Sequence, residues 1–393
     1  MKNYHLMVIA GEASGDMRAA GLARALKQLQ PSLRLSGIGG AHMRQAGVEC
    51  FTDITELAVI GFVEVLKNLG RIKKVFDQAL VQIDTTHPDA VILVDYPGFN
   101  LRLAREIKKR GIKIIYYISP QVWAWKEARV KKIKELVNRM IVLFPFEQET
   151  YTKYGMKVDY VGHPLVDEIV VSKTPSEVLR NIGLSEGKTT IGLMPGSRAK
   201  EVERHLPCML EAAQKLFEQD HDRQFVLLKA STIPLKFIES VLMGRSLKRL
   251  LRPFGTRNDT ALKDLPIKIY DGTTYDGINA MDAAMVASGT ATLETALLLK
   301  PMVIIYKTSW LTYAIAKAVI KIPYIGLVNI VAGKKVAEEL IQNDAKPETI
   351  ARAVENALNN KQIVNELAAV KTSLGEPGAS LRAAHIVLNE LAY

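Results

Sequence analysis

With 393 residues the chain is long enough for two domains, and its 48% apolar and 24% charged residues are those of a globular protein. Two cysteines, Cys50 and Cys208, are too few for a disulfide framework or a four-cysteine metal site, which points to a reducing cytosol. The formal charge of +11 is uneven: residues 1–165 carry 24 Lys and Arg against 16 Asp and Glu, the remainder 28 against 25, so an anionic partner for the first half competes with a plain solvated surface.

The opening "MKNYHLMVIAGEASGD" reads as a first strand and turn rather than a secretory signal. In chain order, "HLMVIAG", "LRLSGIG", "AVILVDY", "KIIYYIS", "RMIVLFPF" and "KVDYVG" read as strands. Several are nearly continuous apolar runs, as expected for a parallel sheet covered on both faces. Helical stretches such as "GDMRAAGLARALKQL" and "NLRLAREIKKRG" alternate with them, which predicts a doubly wound α/β sheet. After a linker rich in turn signals ("HP", "TPSE", "SEGK"), a second series follows: "TTIGLMPG", "FVLLKA", "IKIYDG", "AAMVAS" and "MVIIYK" as strands, "VERHLPCMLEAAQKLFEQ" and "TLETALLL" among the helices. Two Rossmann-like domains facing a cleft are expected, 1–165 and 166–375, with a last helix in 376–393. No apolar run reaches the roughly 18 residues of a membrane span. Even "YAIAKAVIKIPYIGLV" is interrupted by Lys317, Lys321 and Pro323.

Ligands in such sheets bind at the carboxyl ends of strands, so the loops there carry the candidates. "AGEASGD" after the first strand offers Gly11 and Gly15 for close approach and free N–H groups for an anion or a sugar hydroxyl; Ser14 or Asp16 also suits a helix cap. "VDYPGFN" places Asp95 at a strand end, where a carboxylate serves as general base or as a turn residue. "IGFVEVLKNLGRIKKVF" interleaves Phe62, Val63, Leu66, Leu69 and Ile72 with Lys67, Arg71, Lys73 and Lys74: a basic amphipathic surface for acyl chains and anionic lipid, or a helix packed on the sheet. Trp123 and Trp125 in "SPQVWAWKEARVKKI" suit core anchors or stacking platforms. In the second series, "MPGSRAKEVERHLP" brings Gly196, Ser197 and Arg198 to a helix start, a good diphosphate site. "SGTATLE" adds Ser288, Gly289 and Thr290 for the diphosphate and Glu294 for ribose hydroxyls. The seven histidines show no paired ligand spacing, so no metal and no cofactor is called for, and His163 in "GHP" reads as a structural or cleft residue rather than a ligand.

Taken in this order, "AGEASGD", "ELAVIGFVEVL", "DYPGFN", "SPQVWAWKEARVKKI", "LFPFE", "VGHPL", "MPGSR" followed three residues later by "EV", and "ASGTATLE" resemble lipid-A-disaccharide synthases over essentially the whole chain. That resemblance implies the two-domain GT-B fold, with the final helix returning to the first domain. It implies an inverting glycosyltransferase of Gram-negative bacteria that moves diacylglucosamine from UDP-2,3-diacylglucosamine to lipid X (2,3-diacylglucosamine 1-phosphate), releasing UDP and the disaccharide monophosphate. Asp95 matches the family's essential aspartate and Arg198 its essential arginine. Glu12, Ser14, Gly15, Asp16, Gly196, Ser197, Ser288, Gly289, Thr290, Glu294 and Asn329 fall in motifs that imply substrate or UDP contacts. Where the family's stretch reads "LPNLLAG", this chain has "LVNIVAG", keeping Asn329 with Val328 in place of proline. A cytoplasmic enzyme held peripherally on the anionic inner-membrane surface is implied, with self-association left open.

Two other readings compete. An enzyme like the UDP-N-acetylglucosamine 2-epimerases shares the architecture but has no use for an apolar basic helix; another lipid-acceptor transferase is closer. A nucleic-acid-binding protein rests on charge and tryptophans alone, and no nucleic-acid motif is present.

Overall fold

Unbroken aliphatic runs build the centre of each sheet, because a strand covered by helices on both faces has no side that favours polar residues. The computed structural model describes residues 3–54, 69–122, 129–250, 265–319 and 322–392. The chain divides into two units, Met1–Asp167 with Leu374–Tyr393, and Glu168–Ser373.

Among the described residues, the first unit holds seven parallel strands: β1 (His5–Ala10), β2 (Arg34–Gly39), β3 (Glu49–Asp53), β4 (Ala90–Val94), β5 (Lys113–Tyr117), β6 (Arg139–Val142) and β7 (Val158–Tyr160). Their order is β3-β2-β1-β4-β5-β6-β7. Every residue of β1 and β4 is buried, and the two pair in register from Leu6 with Ala90 to Ala10 with Val94. The helix Ala379–Ala392 packs on the helix Ala13–Leu29 in this unit. Polar ties fasten it: Lys113 Nζ donates to Glu390 O (2.7 Å), Arg382 Nε to Val161 O (2.8 Å), and Asp167 accepts from the Gly378 and Ala379 N–H groups.

Among the described residues, the second unit holds six parallel strands: β8 (Thr189–Met194), β9 (Arg223–Leu228), β10 (Ile267–Tyr270), β11 (Ala283–Ala287), β12 (Met302–Tyr306) and β13 (Glu338–Ile341), in the order β10-β9-β8-β11-β12-β13. Its entry segment is pinned on Asp276, whose carboxylate accepts from Ser172 N (2.6 Å), Ser172 Oγ (2.7 Å), Lys173 N (3.0 Å) and Thr273 Oγ1. These donors outweigh the cost of desolvation and hold the carboxyl down at about 2.

Both sheets reverse their winding at one place, between β1 and β4 and between β8 and β11. Loops leaving the two central strands there diverge to opposite faces and open a crevice at the strands' carboxyl ends. Those loops are residues 11–12 and 95–96 in the first unit, each running straight into a helix, and 195–198 and 288–290 in the second.

Two strands are additional to those read from the sequence. β3 (ECFTD) and β13 (EELI) lie at sheet edges, where one flank stays in solvent and charged residues replace the aliphatic run.

Candidate active site

In the first unit the crevice is built around a strained turn. Asp95 and Tyr96 both take positive φ, 46° and 45°, a conformation that costs L-residues free energy unless the surroundings impose it. Here they do: Tyr116 Oη donates to Asp95 O (2.6 Å), Asn100 Nδ2 donates to the same oxygen (2.7 Å), and Asp95 N–H donates to Tyr117 O (3.0 Å). Tyr116 and Asn100 are fully buried. Gly11 completes the lock, since a Cβ there would run into the Tyr96 ring. Backbone strain therefore aims the Asp95 side chain out of the end of β4, and Pro97 starts the next helix, Pro97–Lys109.

The carboxyl of Asp95 is largely removed from water. Burial raises its pKa from 3.8 to about 6, and the negative charge of Glu12 across the crevice adds to the rise, against a hydrogen bond from the Tyr96 backbone. Glu12 is half-buried at the N-cap of the helix Ala13–Leu29 and makes no side-chain capping bond. Ser14 is exposed on the first turn; Gly15 is buried beneath it.

Asp16 has a different task from its neighbours. It is buried and accepts from Gly40 N (2.6 Å), His42 N (3.1 Å) and Met43 N (3.2 Å), capping the helix Ala41–Gln45 from a distance. It acts on the site by holding the loop after β2. Asp16→Ala is expected to destabilise the protein by about 2–4 kcal/mol, because two buried donors and one part-buried donor lose their acceptor. Thermal unfolding checks this, and an unchanged Tm would return Asp16 to the role of a ligand contact.

In the second unit, Gly196 takes φ 122°, and a Cβ there would lie 2.5 Å from Glu201 Oε2. Glu201, in the first turn of the helix Ala199–Gln219, accepts from Ser197 N (3.1 Å) and pairs with Arg198 (2.8 Å). The Arg198 side chain is 52% exposed, so this ion pair is weakly held and its guanidinium is free to turn onto an incoming anion. His205 straps the loop from below. Its Nδ1 donates to Pro195 O (2.9 Å) and its Nε2 accepts the Lys307 N–H (2.9 Å), joining the loops after β8 and β12. Burial lowers its pKa, which keeps it neutral and able to accept. His205, Tyr116 and Asn100 are not among the residues the sequence motifs single out. Tyr116 has a signal in the sequence, a polar group in the apolar run KIIYY that must find a partner when buried; Asn100 and His205 stand among turn and charged residues and carry no such signal.

Ser288, Gly289 and Thr290 lie at the end of β11, the first half-buried and the other two exposed; Ser288 Oγ donates to Ile325 O (3.1 Å). Thr290 starts the helix Ala291–Leu297 without a side-chain cap, and Glu294 is half-buried one turn on. Asn329 is fully buried, and its amide is fully used: Nδ2 donates to Ala337 O and Glu339 Oε1, and Oδ1 accepts from Val336 N and Ala337 N, all at 2.8 Å. It braces the loop after the helix Leu327–Ala332 and has no hydrogen-bonding capacity left for a ligand.

His163 is buried against Phe144, its Nδ1 accepting the Leu165 N–H (3.2 Å), and burial pushes its pKa down to about 3. Among the described residues, no three His, Cys, Asp or Glu side chains gather as a metal-binding group. Of the amphipathic stretch, Leu69 is exposed and Ile72 packs, half-buried, against the first unit's core. Phe62, Val63 and Leu66, and likewise Trp123 and Trp125, lie outside the described residues. No described helix is long and apolar enough to cross a membrane.

Comparisons with known proteins agree with this arrangement. The glycotransferase of kitacinnamycin superposes with a TM-score of 0.67 at 14% identity, covering 100% of both chains. The UDP-GlcNAc 2-epimerase of Neisseria meningitidis does so with a TM-score of 0.64 at 11% identity, covering 98% of this chain and 100% of its own. Both are similar in fold, which is GT-B-like, and the fold alone does not separate transferase from epimerase. Sequence does. The family model described as lipid-A-disaccharide synthetase matches residues 6–377. The lipid-A-disaccharide synthase of Syntrophus aciditrophicus (strain SB) is 44% identical over 393 residues, covering 99% of this chain and 98% of its own. Similarity of that extent, spanning both sheets and all four crevice loops, shows that the chain belongs to the lipid-A-disaccharide synthase family, the glycosyltransferases of lipid A biosynthesis.

Proposed function

We propose that this chain transfers diacylglucosamine from UDP-2,3-diacylglucosamine to the primary hydroxyl of lipid X in one inverting displacement. Asp95 is the general base. It takes the hydroxyl proton as the acceptor oxygen bonds to C1 of the donor sugar, and the bond from C1 to the UDP oxygen breaks. Arg198 turns from Glu201 to the diphosphate and stabilises the charge that develops on UDP. Gly196, Ser197, Ser288, Gly289 and Thr290 receive the diphosphate, and Glu294 accepts from ribose hydroxyls. Glu12, Ser14 and Gly15 border the acceptor. Asp16, Asn329 and His205 serve by bracing these loops.

The observation that carries the reading is Asp95 itself: a carboxylate at the first sheet's reversal point, locked in a strained turn, with its pKa raised to about 6. At neutral pH such a group is mostly deprotonated yet more basic than an ordinary aspartate. The anomeric configuration of the new linkage, read from its H1–H2 coupling by NMR, tests the displacement. Inversion relative to the donor's C1 is expected. Retention would require a covalent intermediate and would remove Asp95 from the role of base.

Lipid substrates call for an enzyme working at the cytoplasmic face of the inner membrane, held there by the basic amphipathic stretch 60–76 that includes the exposed Leu69. Replacing Phe62, Leu66 and Leu69 by Ser is expected to weaken binding to anionic vesicles by at least tenfold in a cosedimentation assay, since each apolar side chain withdrawn is worth about 1.5–3 kcal/mol. Unchanged binding would assign the stretch to the protein's own core.

A further inference from the structure

The helix Trp310–Val319 has the composition of a core helix, WLTYAIAKAV, yet none of its described side chains is buried. Trp310 is 70% exposed, more than any other described large apolar side chain. Its ring lies 5.6 Å from that of Tyr313. Helical spacing puts Trp310, Tyr313, Ala314 and Lys317 on one face. The helix starts from a fixed point, with Ser309 Oγ accepting the Thr312 N–H (3.2 Å) and the Tyr313 N–H bonded to Ser309 O (2.9 Å). A tryptophan this exposed beside a half-buried tyrosine is an apolar surface that burial elsewhere would stabilise.

Charge identifies that surface. At the foot of the helix Trp310 lines a cleft of about 780 Å³ together with Arg204, Lys307 and Lys346, and Glu211 is the only carboxylate among the described residues that line it. A second copy of this chain is a poor occupant, because each carries +11 and a two-fold contact would set this cationic rim against itself. Acyl chains alone would leave the cations unmatched. An aromatic pair beside lysines, in contrast, is the composition of a membrane-interface anchor.

We propose that the helix Trp310–Val319 and the cationic cleft at its foot form a docking surface for an anionic bilayer. Trp310 and Tyr313 enter the boundary between headgroups and acyl chains, while Arg204, Lys307, Lys317 and Lys346 meet headgroup phosphates. This surface belongs to the second unit and is independent of the amphipathic stretch in the first.

The test uses the full chain and vesicles of phosphatidylglycerol mixed with phosphatidylcholine, against phosphatidylcholine alone, by cosedimentation. Trp310→Ser is expected to weaken binding to the anionic vesicles at least fivefold. The double variant Lys317→Gln/Lys346→Gln is expected to weaken it more than tenfold and to flatten its salt dependence, at about fivefold per cation. Neither change touches the proposed catalytic groups, so turnover of detergent-dispersed substrates stays at the parent level. The blue shift of tryptophan emission on vesicle binding shrinks in Trp310→Ser. Parent-like vesicle affinity in both variants overturns the proposal. So does a raised KM for the lipid donor at unchanged vesicle affinity, which assigns the helix to substrate acyl chains, or a changed sedimentation coefficient without a vesicle effect, which assigns it to self-association. Loss of binding in the Phe62, Leu66 and Leu69 variant alone would sink this surface and leave the first one standing.

Discussion

Asp95→Asn lowers kcat by about 10²–10⁴-fold, the range for loss of a general base, while UDP binding is retained. The same substitution is expected to stabilise the fold at neutral pH. Between about pH 4 and pH 6 the folded state holds the Asp95 proton that the unfolded chain has already lost. Stability contributed by the neutral carboxyl is therefore present at low pH and is lost as pH rises through that window. At pH 7 the buried charge costs about 1–3 kcal/mol, and an amide of the same shape does not incur it. Urea unfolding at pH 7 should show the variant more stable than the parent, and the difference should disappear below about pH 4. The catalytic sign is opposite: kcat/KM should fall about tenfold per pH unit below about 6, as the base of the free enzyme is protonated. A variant that is inactive but no more stable would mean that Asp95 is ionised without strain in the folded protein. A variant that keeps parental turnover would remove it from the chemistry.

Arg198→Ala is expected to lower kcat by about 10²–10³-fold, the typical effect of removing a group that stabilises transition-state charge. Its effect on stability should stay below about 1 kcal/mol, because the substitution breaks only an exposed ion pair with Glu201. Arg198→Lys should recover little, since an ammonium keeps the charge but loses the fork that grips two phosphate oxygens. Calorimetric titration with UDP separates binding from chemistry. Parental kcat with weakened UDP affinity would confine Arg198 to ground-state binding.

The interior of both sheets was legible because a doubly covered parallel strand leaves a continuous aliphatic signature, as in AVILV and MVIIY. Of the four edge strands, β7 and β10 were legible and β3 and β13 were not, because ECFTD and EELI carry charges in place of an aliphatic run. The positions of Asp95, just past β4, and Arg198, at the start of the helix after β8, were legible because the end of a strand is a fixed reference point in such a fold; their roles are what Asp95→Asn and Arg198→Ala test. What escaped were interactions across long sequence distances. Asp16 answers to Gly40, His42 and Met43, and His205 to Lys307; neither partnership leaves a period or a spacing in the chain. Asn329 shows the converse. Its motif suggested a ligand contact, while its geometry commits all of its hydrogen bonds to a loop.

The most direct test of the transferase account is a two-substrate turnover measurement. Purified protein is mixed with UDP-2,3-diacylglucosamine and lipid X in detergent, with a chelator present, and UDP release is followed alongside product mass. Disaccharide monophosphate and UDP in equal amounts, formed only when both lipids are present, is the result this account predicts. UDP released without lipid X, or no product with both lipids even after metal is restored, would contradict it.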